Sequence, residues 1–128
     1  MSAYAKYDSI PGLLATATLA SKQYYIVQAS STAGEVKQSD TAATDPILGI
    51  VQNDPAAGEV AEVAFQGICK AAAETGVSYG DSLTVSSTGR VKTTTTDGDR
   101  IVGLALEATT AAGDIIPVLL SLHAGYWG

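Results

Sequence analysis

Apolar and polar positions along this chain fall into short runs rather than a helical period. The stretch Glu59-Val-Ala-Glu-Val-Ala-Phe65 alternates polar and apolar residues, the period-two pattern of a strand with one face in water. Residues 114–122 are apolar apart from Asp114 and Ser121, which predicts a strand buried on both faces. Residues 24–28 (Tyr-Tyr-Ile-Val-Gln) and 82–85 (Ser-Leu-Thr-Val) read as strands followed by Ser/Thr/Gly turns at 30–34 and 86–89. A short Val-Lys strand comes next in each case, then a polar loop at 38–46 or 93–100. Apolar runs at 47–51 and 101–105 follow, each with a central glycine. Only residues 67–79, with Ala71-Ala-Ala-Glu74, have helix-forming composition, and their apolar positions follow no 3.6 period. Residues 70–74 read equally well as a strand. The pattern predicts an all-β fold, a small barrel or clip-like sandwich.

Laid against itself, the sequence matches in three places. Ser30-Ser-Thr-Ala-Gly-Glu-Val-Lys37 resembles Ser86-Ser-Thr-Gly-Arg-Val-Lys92, Ile47-Leu-Gly-Ile-Val51 resembles Ile101-Val-Gly-Leu-Ala105, and Ala56-Ala-Gly-Glu-Val60 resembles Ala111-Ala-Gly-Asp-Ile115. The matches keep one order and offsets of 54 to 56 residues, so residues 24–68 and 82–123 are expected to be two tandem copies of one β unit. Neither could bury its apolar face alone, which predicts one domain over 23–128 preceded by an extended N-terminal arm, residues 1–22.

Charge narrows the function. Thirteen acidic residues against seven basic ones give a net charge of −6, which disfavours a phosphate backbone as ligand, so no nucleic-acid partner is expected. One cysteine, Cys69, and one histidine, His123, can make neither an internal disulfide nor a closed zinc site, and a free thiol suits a reducing cytoplasm. No apolar run approaches the ~20 residues that span a bilayer, so no membrane partner is expected. Residues 10–20 resemble a signal peptide only loosely, since Asp8, Pro11 and Gly12 interrupt the pattern, and an arm is the better reading.

Catalytic patterns are missing from the sequence: there is no phosphate-binding glycine loop, no His-Glu-x-x-His and no Cys-x-x-Cys. Any nucleophilic arrangement would have to use His123, with Cys69 or a serine. The repeat alignment places His123 opposite Ile68 and beside Cys69, but a strand-end histidine and a small buried thiol account for the same residues. Asp97-Gly-Asp99 lacks the twelve-residue spacing of a calcium loop and suits a turn. No carboxylate pair stands out, and Thr93–Thr96 reads as a solvated loop or edge strand. Neither metal nor cofactor is expected. What remains is surface: Tyr4, Tyr7, Ile10, Leu13 and Leu14 in the arm, and Tyr126 and Trp127 at the other end, lie outside the repeats. Aromatic and apolar tail residues suit partner contact, or else fold back on their own domain.

The second copy carries a resemblance. Gly80-Asp-Ser-Leu-Thr-Val-Ser-Ser-Thr-Gly-Arg-Val-Lys92, Ile101-Val-Gly-Leu-Ala-Leu-Glu107 and Ala111-Ala-Gly-Asp-Ile-Ile-Pro-Val-Leu-Leu120 resemble the capsid decoration, or cement, proteins of tailed bacteriophages. The first copy, through Ile47–Val51, Ala57-Gly-Glu-Val60 and Gln66-Gly-Ile68, is similar to the earlier half of that family. It departs in having Tyr24-Tyr25 where the second copy has Gly80-Asp81, and the arm has no counterpart. The resemblance implies a non-enzymatic virion protein of β-tulip-like fold, sitting as homotrimers on the outer surface of the mature head and bound to the major capsid protein. With it the arm residues Tyr4, Tyr7, Ile10, Leu13 and Leu14 become candidate capsid contacts, and Tyr126 and Trp127 candidate oligomer or shell contacts. Two other readings are a carbohydrate-binding or adhesin-like β module and a hydrolase using Cys69 and His123.

Overall fold

The structure, a computed structural model, describes residues 5–74, 76–122 and 125–127. In chain order it forms β1 (Lys6–Ile10), β2 (Leu14–Ala15), a single 3-10 turn (Ala17–Leu19), β3 (Ile26–Ala29), β4 (Glu35–Gln38), β5 (Ile47–Val51), β6 (Val63–Ala72), β7 (Ser82–Val85), β8 (Val91–Thr93), β9 (Gly103–Ala105) and β10 (Ile115–Leu120). The strands join in one sheet of order β2-β4-β3-β5-β6-β10-β9-β7-β8, with β1 added to β6. The all-β expectation holds. The alanine-rich stretch of uncertain type is strand through Ala72, because residues 67–72 pair antiparallel with β10 from Leu120 back to Ile115. Small alanines fit there, with Ala71 and Ala73 completely buried, so tertiary pairing overrides their helix preference.

The strand order reads the same from both sides of the β6–β10 pair: β4-β3-β5-β6 and β8-β7-β9-β10, with antiparallel neighbours throughout. Hydrogen bonds recur at matched positions. The N–H of Ala15 donates to Glu59 O and that of Ala73 to Asp114 O; Thr16 donates to Val36 O and Glu74 to Val91 O; Tyr24 donates to Val51 O and Gly80 to Ala105 O, all at 2.8–3.0 Å. This correspondence takes in residues 15–16 and 73–74, outside the repeat bounds read from the sequence, where Ala-Thr and Ala-Glu offer nothing to align. Both ends of the sheet are tied back. Leu14 pairs with Glu35 of β4 and with Val60, and Ala73 bridges Val91 of β8.

The two central glycines of the 47–51 and 101–105 runs serve one purpose. A Cβ on Gly49 would lie 2.0 Å from Ala64 O, and one on Gly103 would lie 2.3 Å from Leu119 O. Each lets the following strand cross at a distance no side chain permits.

The segment read as an arm lies on the chain's own sheet over its described part. β1 pairs antiparallel with β6 from Lys6–Ile68 to Ile10–Val63, and β2 runs parallel to β4. Leu19 is completely buried, and Ile10 and Leu13 pack on a cluster formed by Ala15, Leu19, Val27, Val36, Val51, Ala61 and Val63. Without these apolar residues that cluster would face water on one side, which is why the chain folds back. A larger cluster contains Ile26, Ile50, Ala64, Leu83, Val91, Val102, Ile116 and Val118. β10, expected to be buried on both faces, is buried at Ile116, Pro117 and Val118 but turns Leu119 outward.

Candidate functional site

One surface depression, of about 360 Å³, is lined by Thr18, Gln28, Lys37, Gln38, Asp40 and Asp45. Asp45 Oδ2 accepts from Gln28 Nε2 (3.1 Å), Ser39 Oγ (2.8 Å), and the N–H groups of Asp40 and Thr41 (both 2.8 Å), closing the 38–46 loop. Burial alone would raise its pKa, but the two N–H donors, the Ser39 hydroxyl and nearby Lys37 together hold the carboxyl below the usual carboxylate range. Four donors converge on Oδ2, which makes the carboxylate a staple of that loop.

Cys69 is fully buried in the larger cluster, and burial pushes its thiol up to about 12, so it is a protonated, shielded side chain rather than a nucleophile. His123, its partner in the hydrolase reading, lies outside the described residues. Asp97-Gly-Asp99 is a turn: Asp99 N–H donates to Thr96 O, and Asp99 Oδ2 accepts from Thr94 Oγ1 at 2.7 Å. Among the described residues no three metal-ligating side chains come together.

The residues singled out at the termini are spread over the surface. Tyr7 is half-buried on β1 and donates its hydroxyl to Glu62; burial, with that carboxylate second, raises its pKa to about 12. Ile10 and Leu13 are inward, core-packing residues. Leu14 alone of the described arm candidates is an exposed large apolar residue. Tyr126 is exposed, with Arg100 stacked 5.3 Å from its ring centroid and donating from Nη2 to its hydroxyl (2.9 Å). Trp127 is bound through its backbone, donating to Asp99 O and accepting from Gly98 N–H, both at 2.8 Å. Tyr4 lies outside the described residues.

Three exposed apolar residues, Val60, Leu104 and Leu119, escaped the sequence reading, which singles out Leu14 alone of the two pairs they complete. Leu14 stands opposite Val60, with exposures of 38% and 56%, and Leu104 stands opposite Leu119, with 36% and 38%. Val60, Leu104 and Leu119 sit at apolar positions of runs that look like ordinary strand, and only the pairing shows that each faces out beside an apolar partner. They make the surface, rather than a pocket, the candidate site.

The family model described as phage cement protein matches residues 16–120, most of the chain. The chain belongs to the phage cement proteins. Its fold is shared by the head fiber gp8.5 N base of bacteriophage phi29, a crystal structure with a TM-score of 0.63 and 16% identity, covering 98% of this chain and 99% of that one. No curated protein sequence matches. As a phage cement protein, the chain is a structural component of the virion, and its lack of catalytic motifs is in keeping with that class.

Proposed function

We propose that this cement protein binds the outer surface of the mature head shell, contacts the major capsid protein, and stabilises the shell as a homotrimer without catalysing a reaction. The match to the cement family over residues 16–120 carries this reading. A protein that binds the assembled lattice and not its free subunits stabilises the lattice by mass action, by RT ln(1 + [L]/Kd) per site. Three linked sites then make release slow. Candidate shell contacts are Tyr126 and the outer edge of β1 around Tyr7. Leu13 and Ile10 hold the core in this proposal, so removing residues 2–14 would damage the fold, and point substitutions are the cleaner probe.

The decisive experiment adds purified protein to mature heads that lack it and measures copies bound per major capsid protein, together with the temperature at which heads release their DNA. Near-stoichiometric binding with a raised release temperature is expected. Failure to bind, or binding with no change in release temperature, would overturn the proposal.

A further inference from the structure

The contact between the two halves has one face on each half, and the outer faces have no counterpart within the chain. In the first half, Ile26, Ile50 and Ala64 form a directly paired row across β3, β5 and β6, all at 0% exposure within the larger cluster. The second half covers this region. Gly89 O accepts from Ile26 N–H at 2.8 Å, and Ala72 N–H donates to Tyr24 O at 2.9 Å. A Cβ on Gly89 would meet Gln38 at 2.8 Å and Tyr25 at 3.0 Å, and Arg90 Nε donates to Tyr25 Oη at 3.2 Å.

The matched positions on the outer sides are open. The row equivalent to Ile26, Ile50 and Ala64 is Ser82, Leu104 and Leu119, paired in the same way but turned to solvent at both leucines. The positions equivalent to Gly89 and Ala72 are Gly34, with nothing within 4 Å of a Cβ, and Leu14, exposed beside Val60. Sizes also change in compensating directions. Tyr24-Tyr25-Ile26 on the covered face becomes Gly80-Asp81-Ser82 on the open one, while buried Ala72 becomes Leu14. A face that has lost bulk thus corresponds to an edge that has gained it.

We propose that the Ser82–Leu104–Leu119 row is the docking surface for the Leu14–Val60 edge and 30–34 turn of a second copy of this chain, repeating between molecules the contact the halves make within one. Such a contact is heterologous, so it can join more than two copies and close into a ring. It rests on the proposed function only in giving self-association a surface. Charge does not carry over: Glu35 stands at the place of Arg90 and Asp81 at that of Tyr25, so added salt strengthens the association by screening two carboxylates.

The test uses the full isolated chain in analytical ultracentrifugation. Wild type is expected to sediment as an oligomer larger than a dimer, more so at higher salt. A Leu104→Glu/Leu119→Glu variant and a Leu14→Glu/Val60→Glu variant are each expected to be monomers with wild-type circular dichroism. Mixed in equal amounts they should recover a dimer, because each retains the surface the other lacks. If either variant unfolds, Leu104→Ser/Leu119→Ser and Leu14→Ala/Val60→Ser take their place. A wild-type monomer at every concentration, variants that still assemble, or a mixture that stays monomeric would overturn the proposal. The two readings are distinguishable: a chain that assembles but ignores heads sinks shell binding and leaves this surface standing, and a monomer that coats heads sinks this surface and the homotrimer and leaves shell binding standing.

Discussion

In the first half, Ala15, Leu19, Val27, Val36, Val51, Ala61 and Val63 fill the space enclosed by β2 to β6. In the second, Ala73, Val77, Leu83, Val91, Ala105, Ile116 and Val118 occupy the matched positions, each apolar and buried. Outside that interior the agreement stops: Ile26, Ile50 and Ala64 are sealed where Ser82, Leu104 and Leu119 are not. The difference teaches where constraint lies. An enclosed strand face must be apolar in either half, whereas an outer face takes its character from what sits on it, and here the two halves have different neighbours.

The sharpest test of the likeness uses the crossing glycines. Gly49→Ala and Gly103→Ala each push a Cβ into a backbone carbonyl that cannot move without breaking the next strand pair. Each is expected to destabilise by about 4 kcal/mol, beyond the usual overpacking range, or to prevent folding. Urea denaturation of the two variants checks this, and a tolerated alanine at one site alone would break the equivalence of the halves.

The outer row should separate the halves. Ile50→Ala opens a cavity in a fully buried site and is expected to lose about 3 kcal/mol. Leu104→Ala, at the matched but exposed position, should change monomer stability by less than about 1 kcal/mol. Equal losses in dilute solution would mean that the second row is covered within the chain after all.

Much of this could be read from the residues. The 47–51 and 101–105 runs gave strands with central glycines because apolar runs between turns leave few alternatives. The 30–34 and 86–89 turns recur because Ser30 Oγ accepts from Thr32 N–H as Ser86 Oγ does from Thr88 N–H. Residues 6–20 were harder. Their partners on β6 and β4 lie some twenty to sixty residues away, and a two-residue strand such as β2 has no periodicity to detect. The candidate surface was hardest, because the pattern of β10 tells a strand from a loop and cannot say that Leu119 faces out while Val118 faces in against a neighbour.

A matched pair of carboxylates gives a smaller effect. Asp45 and Asp99 each close the loop before the third strand of their half, but Asp45 holds four donors, whereas Asp99 Oδ2 is bonded by Thr94 Oγ1. Asp45→Asn is expected to destabilise by about 2 kcal/mol and Asp99→Asn by about 1, from the hydrogen bonds each weakens. Because the folded pKa of Asp45 is depressed, its contribution is present above the unfolded value near 4 and is lost as pH falls through the folded one. Thermal melts from pH 6 to 2 should therefore show a shallower acid decline in Asp45→Asn than in wild type, and parallel curves would refute the assignment.

The smallest effect concerns the entry to β3 in the first half and to β7 in the second, where the backbone is left-handed in both. Gly80 has φ +87° with open space around a Cβ, and Tyr24 holds φ 72° at the matched place. Gly80→Ala meets no neighbour, so its whole effect is the left-handed φ, about 1 kcal/mol of destabilisation. Tyr24 already bears a strain of that order and keeps it because the second half packs there: its carbonyl accepts from Ala72 and its N–H donates to Val51 O. Tyr24→Gly should consequently gain little, since relief of strain is offset by lost ring packing and a more flexible unfolded chain. Chemical denaturation of both variants checks the pair. A clear stabilisation by Tyr24→Gly would mean that the tyrosine is retained for a contact on its exposed side and not for the join between the halves.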